Sequence, residues 1–429
     1  MSAPQWALVL GIGLALIASL GPLGLGIRRL WELLALAGAA AAMAAVDGHE
    51  LSKIAFALAI LTVLDVLISV RGRRAPLAWL VGLGSVGLWW WAAQLRVQAG
   101  GESVVEWWGM PFSGDTPATL AFLSLAIPLA LPGFLGGVWA GLSSGPIRNR
   151  AGRLGYGLTG CLRPLAYASL LATTFGGSEV LIHVGLVLLW IAPVVALFQH
   201  CADERLSTLA MASLWALIGA QGVATMRAED AFALGLLGWV VPVVMLSATL
   251  AFLRGEQQKA PGLAPLGLAR LFPLTYWMTL LAAAAAAGAP FLGAFHGRAR
   301  SAGAMERYGN GEEALGYALA AAPLFALIAM PWIRYVFFSR ASSSSLAPPP
   351  RRSREPAGLL LGLGLGVAAN IALGLTPELA QGLLPHGDMT PVAFPSQLGQ
   401  LQLLLGACIV ASFFKHRVDS VRLKLSSTP

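Results

Sequence analysis

The chain has 429 residues, 57% of them hydrophobic and 11% charged, with a mean hydropathy of +0.73 and a net charge of +8. A soluble domain is usually about a quarter charged, so this composition excludes a sizeable water-soluble catalytic domain and predicts an all-α, polytopic transmembrane bundle. Cys161, Cys201 and Cys408 have neither ligand nor disulfide spacing, so no metal site, cofactor site or disulfide framework is read from them.

Apolar runs near twenty residues, each about long enough to cross a bilayer as a helix, predict thirteen spans. They lie near residues 6–26, 30–47, 54–71, 76–96, 117–139, 156–175, 180–198, 206–225, 231–253, 272–298, 314–336, 357–375 and 398–415. Met1–Gly26 lacks a basic leader region and a cleavage site and reads as a retained first helix. Span three carries Asp65 in the middle of AILTVLDVLISV. A charge at membrane depth is costly. Asp65 therefore reads either as a proton-exchanging group or as a carboxylate paired with Arg163 or the Arg71–Arg74 cluster. Trp89–Trp91 and the pair Trp107-Trp108 read as interfacial anchors.

Two spans read as broken. Span five contains Pro128 and Pro132-Gly133, and span ten contains Gly288-Ala289-Pro290 followed by Gly293. Proline inside a helix removes a hydrogen bond and frees a carbonyl. At membrane depth such a break is resolved by protein or by a watery cavity. The pair reads as a transport path or as two simple kinks. Arg163 falls in span six, and Arg298 ends span ten. His183 in span seven reads as a hydrogen-bonded packing residue and as the only mid-span histidine. Gly-rich runs such as Leu360–Val367 sit inside a span and read as packing surface, not as a phosphate loop.

The Ser/Pro/Arg stretch Ser342–Pro356 divides the chain. A main bundle takes residues 1–338, a linker 339–356, and a last pair of spans with a basic tail 357–429. Twenty of the 28 basic residues fall in alternate loops and the tail, from Arg28/Arg29 to Lys415–Lys424. The other loops hold Lys53, Arg96, Arg227, Arg298, Arg300 and Arg307 and most of the acids. The positive-inside rule places the first set in the cytoplasm, the N-terminus outside and the C-terminus inside. The basic excess is thus a topology signal in a cytoplasmic (inner) membrane and does not call for a nucleic-acid partner.

Arg270-Leu-Phe-Pro273-Leu-Thr275, followed after an apolar run by Gly288-Ala-Pro290-Phe-Leu-Gly-Ala-Phe295-His-Gly-Arg298, resembles a signature of one family. That family is the antiporter-like membrane subunits of respiratory complex I and of Mrp-type cation/proton antiporters. Leu162-Arg163-Pro-Leu-Ala166-Tyr167, then Glu204 with Leu209-Ala210-Met-Ala-Ser213, then Ala251-Phe252-Leu253-Arg-Gly255 resemble further family motifs in the same order. The resemblance covers about residues 54–338. It implies lysines where Arg163 and Arg298 stand, a further lysine near Ala130, and a histidine and a lysine where Val243 and Ser247 stand. Arginine stays charged and does not relay protons, so most of the implied relay is missing.

Three functions fit these residues. The first is an antiporter-like subunit of a proton-coupled assembly (complex-I-like, Mrp-like or for inorganic-carbon uptake) with a reduced proton path. The second is a non-conducting scaffold of such an assembly, and the third an unrelated solute transporter. The implied partners are other membrane subunits, a peripheral subunit, lipid, and protons or monovalent cations; no catalytic motif of the chain's own is present. For the topology, a reporter fused after Ser426 is expected to read as cytoplasmic, and a periplasmic signal there contradicts the orientation.

Overall fold

The computed structural model describes residues 164, 168, 171–172, 176–199, 202–223, 225–259, 268–338, 355–384, 386 and 394–413. Asp65, Arg163, Pro128, Pro132 and Gly133 lie outside the described residues. The described elements are all helical: α1 (Glu179–Phe198), α2 (Ala202–Ala220), α3 (Met226–Lys259), α4 (Pro273–Ala287), α5 (Gly293–Arg307), α6 (Gly311–Phe338), α7 (Ala357–Leu375) and α8 (Phe394–Phe413). Five stretches are long and apolar enough to cross a membrane: Glu179–Phe198, Glu204–Val223, Met226–Leu250, Gly311–Phe338 and Ala357–Leu375. They coincide with predicted spans seven, eight, nine, eleven and twelve.

Burial separates the enclosed helices from the peripheral ones. The apolar stretch of α2 is 100% buried, whereas that of α1 is 39% and that of α7 only 17% buried. So α2 is the centre, and α1 and α7 form the rim. On α1 the outward face is Val187, Trp190, Ile191, Val194, Val195 and Phe198, an apolar surface suited to acyl chains. The inner contacts use small residues. Ala282, Ala283, Ala285, Ala286 and Ala287 of α4 are all buried. Small side chains let helix backbones approach where lipid offers no hydrophobic drive.

Helix ends follow local chemistry. Pro273 opens α4 at a position where its missing N–H costs nothing. The carboxylate of Glu355, just ahead of α7, accepts from Thr275 N at 3.1 Å and puts a negative charge at the α4 N-terminus. In α6 a π-helical turn, Leu324–Ala329, lies between Pro323 and Pro331. Pro331 has no N–H to give the preceding turn.

The tightest crossing joins α3 and α5, which run antiparallel. Gly297 backs onto Ala231 and Gly235, and Gly238 backs onto Gly293 and Ala294. A Cβ on Gly297 would overlap Gly235 Cα and lie 2.6 Å from its nitrogen. Gly238 is the central residue of Met226–Leu250. The start of α5 therefore sits near the middle of the apolar layer.

This placement corrects part of the charge reading. Arg298 and Arg300, counted above among outer-loop residues, lie inside α5 and are 8% and 5% exposed. Arg205, one of the twenty basic residues that the alternation places in the cytoplasmic loops and tail, lies in the first turns of α2 and is 1% exposed. The apolar run stops near Arg298, but the chain continues as a polar half-helix, GAFHGRARSAGAMER, packed inside the bundle.

Replacing Gly297 by valine is expected to lower stability by about 1–3 kcal/mol through overpacking. Gly303, with nothing within 4 Å of a built Cβ, is expected to accept alanine without loss. Thermal unfolding of the two variants in detergent checks this, and equal midpoints contradict the packing.

Candidate functional site

Gly288, Pro290, Gly293 and Arg298 come together at one point: the gap between α4 and α5. The alanine run of α4 ends at Ala287, and Gly288 takes φ +84°, the left-handed region that glycine enters without strain. A Cβ there would also lie 2.6 Å from the Arg298 guanidinium. Pro290 cannot continue a helix. Phe291 follows with φ +66°, a conformation that costs a bulky residue on the order of 1–3 kcal/mol. Leu292 is extended, and α5 begins at Gly293.

A helix end leaves four carbonyls without intrahelical partners, and here they are buried at mid-depth. Gly288 N donates to Ala285 O at 2.9 Å, and Ala289 N donates to Ala284 O at 2.9 Å, the paired bonds of a Schellman cap. The other two carbonyls are met by Arg298. Its Nη1 donates to Ala287 O at 2.6 Å; its Nη2 donates to Ala286 O at 3.3 Å and to Ser213 Oγ. Ser213 Oγ in turn donates to Ala286 O at 2.5 Å. Arg298 thus caps the helix that precedes its own, and its charge complements the negative end of the α4 dipole. Among the described residues no carboxylate pairs with it.

The start of α5 is less fully met. Leu292 supplies no side-chain cap. Asn370 of α7 lies beside Gly293, where its Oδ1 would be 3.4 Å from an added Cβ, and that oxygen has no hydrogen-bond partner. His296, in the first turns of α5, is 2% exposed. Its Nε2 bonds the carbonyl of Gly374, near the end of α7, at 2.7 Å, while its Nδ1 has no partner. Gly374 also presses on the Phe291–Leu292 backbone, so α7 holds the strained side of the gap.

His183 is not brought to this site. It is the fifth residue of α1 and is exposed; its Nδ1 lies 2.8 Å from Glu179 O and its Nε2 3.6 Å from Glu313 Oε1. Among the described residues, His296 is the histidine buried at membrane depth; the apolar run ends two residues later, so hydropathy gives no sign of it. Its place in the motif, between Phe295 and Arg298, was the available signal. Ser213 was legible only as a motif member. Val243 and Ser247 are both buried, and Ser247 Oγ donates back to Val243 O at 2.8 Å, which ties the hydroxyl to its own helix. Among the described residues no group of three or more His, Cys, Asp or Glu side chains is placed to hold a metal ion.

Replacing Arg298 by methionine is expected to cost on the order of 1–3 kcal/mol for each buried carbonyl left unpaired. Lysine is expected to recover only part, since one ammonium replaces a fork that serves three acceptors. Thermal unfolding of the wild type and both variants tests the order, and a methionine variant as stable as the wild type contradicts the capping role.

No family model matches the sequence, and no curated protein matches it. Solved structures do. A chain of respiratory complex I from Thermus thermophilus is 20% identical, with a TM-score of 0.60 over 88% of this chain and 92% of that one. A chain of the Mrp complex from Dietzia sp. DQ12-45-1b is 19% identical, with a TM-score of 0.65 over 97% of this chain and 49% of that one. A chain of the membrane-bound sulfane sulfur reductase, an archaeal respiratory membrane complex, is 15% identical, with a TM-score of 0.65 over 100% of this chain and 75% of that one. Two of these three assemblies are those named from the sequence motifs, and the chain shares its fold with these membrane-complex chains.

Proposed function

We propose that the chain is an antiporter-like integral membrane subunit of a proton-coupled assembly, with a proton path narrower than the family pattern implies. The observation that carries this reading is the Arg298 cap. Where the family pattern has a lysine that exchanges its proton, this chain has a guanidinium spent on Ser213 Oγ and the carbonyls of Ala286 and Ala287. A guanidinium held by three acceptors fixes charge without passing protons. The path then runs through Asp65, the acidic residue at mid-span in span three, and not through Arg298. Arg163 and Arg298 act as fixed positive charges that favour the ionised carboxylate. Pro128, Pro132 and Gly133 form a second break, in span five.

In this reading the partners are other membrane subunits and a peripheral subunit, and the transported species is a proton or a monovalent cation. Any redox chemistry belongs to those partners. The chain sits in the cytoplasmic membrane with its N-terminus outside and its C-terminus inside. A scaffold role is the second reading. It is favoured by Val243, which has no ionisable group, and by Ser247, whose hydroxyl donates to the Val243 backbone carbonyl.

The test is Asp65→Asn in the native complex, purified through a tag on this chain and reconstituted in vesicles. Coupled proton movement is expected to vanish while the subunits still co-purify. Full coupled activity in the variant removes the conducting reading and leaves the scaffold.

A further inference from the structure

The gap between α4 and α5 contains a second nitrogen base besides Arg298, and its geometry differs in one respect. Gly374 offers His296 a carbonyl, which only accepts. The 2.7 Å bond therefore requires the proton on Nε2, an assignment of tautomer from geometry. In the neutral ring Nδ1 then carries a lone pair, and this atom is buried with no partner. Asn370 Oδ1, also unpartnered, borders the same helix start. Buried acceptors of this kind are ordinarily met by ordered water.

We propose that His296, and not Arg298, is the group at the break that gains and loses a proton, and that it does so at Nδ1. The lone pair of Nδ1 takes a proton from hydrated protons entering the gap, giving an imidazolium whose Nε2–H bond to Gly374 O is unchanged. Release of the same proton restores the neutral ring. Nothing need rotate, because the acceptor site and the anchoring bond are on opposite nitrogens. Arg300, one turn further along α5, is the charged group that faces the ring. Arg298 is turned to α4. Asp230 and Glu229, at the outer end of α3, engage His386. The described part of α7 has no ionisable side chain, and those of α2 and α6 stand at helix ends or, as Tyr317, on Ile182 O.

This inference rests on the proton-path reading, and the experiment separates the two. The full-length chain is reconstituted in vesicles, and proton flux is driven by a potassium diffusion potential across pH. The wild type is expected to show a pH-dependent step in flux. In His296→Gln, whose amide N–H keeps the bond to Gly374 O, the step is expected to disappear. A folded glutamine variant with the wild-type pH profile overturns the role of His296, while loss of flux in Asp65→Asn in the same assay leaves the proton path standing. A wild type with no flux above protein-free vesicles overturns both. If the glutamine variant fails to fold, a chain with the other five of its six histidines replaced decides by ¹⁵N nuclear magnetic resonance. A Nδ1 signal that titrates supports the proposal, and one that stays fixed overturns it.

Discussion

A helix that stops inside a membrane must find partners for its last carbonyls, because lipid offers none. At Ala287 this requirement organises the surrounding structure. Two carbonyls are met by the chain's own turn through Gly288, and two by Arg298 with Ser213. Each provision constrains something else. The turn requires glycine at 288. The guanidinium requires that α5 run back alongside α3, and that in turn requires the Gly235–Gly297 contact. Ser213 requires that the enclosed helix α2 present its hydroxyl to the gap.

Strain and support are divided between two sides of the gap. On one side the Schellman turn and Arg298 leave α4 satisfied. On the other, Phe291 holds a left-handed conformation, and the end of α7 lies against it. So α7, which follows the Ser/Pro/Arg stretch of the sequence and is barely buried along its length, is committed at its last turn. There it accepts from His296 and contacts the strained backbone. A helix that looks peripheral by area is attached at the point of greatest local constraint.

The break itself was legible in the sequence, because Gly288, Pro290 and Gly293 each act through local backbone geometry. The role of Arg298 was not, because capping depends on the chain folding back over eleven residues and on Ser213, 85 residues away. The apolar run also misled. It made Arg298 look like the end of a span, whereas a half-helix of low hydropathy continues to Arg307, shielded by α3 on one side and α7 on another. The same run end hid His296, whereas His183, read as a hydrogen-bonded packing residue, stands one turn into its helix and bonds Glu179 O there. Helix existence survived because hydropathy reports it, but the path of a re-entering polar helix does not register in hydropathy.

Glu355 and Arg298 stand at opposite ends of α4, one negative and one positive, about 22 Å apart for fifteen residues. The arginine follows the start of α5, which lies against Gly238 at the centre of the apolar Met226–Leu250 stretch, and so sits deep in the membrane's electric field. A positive charge halfway through the layer feels about half the voltage, roughly 1 kcal/mol per 100 mV. Stripping the guanidinium from its three acceptors costs more than that. The charge is therefore static on any physiological voltage swing, and it contributes nothing to a voltage sensor.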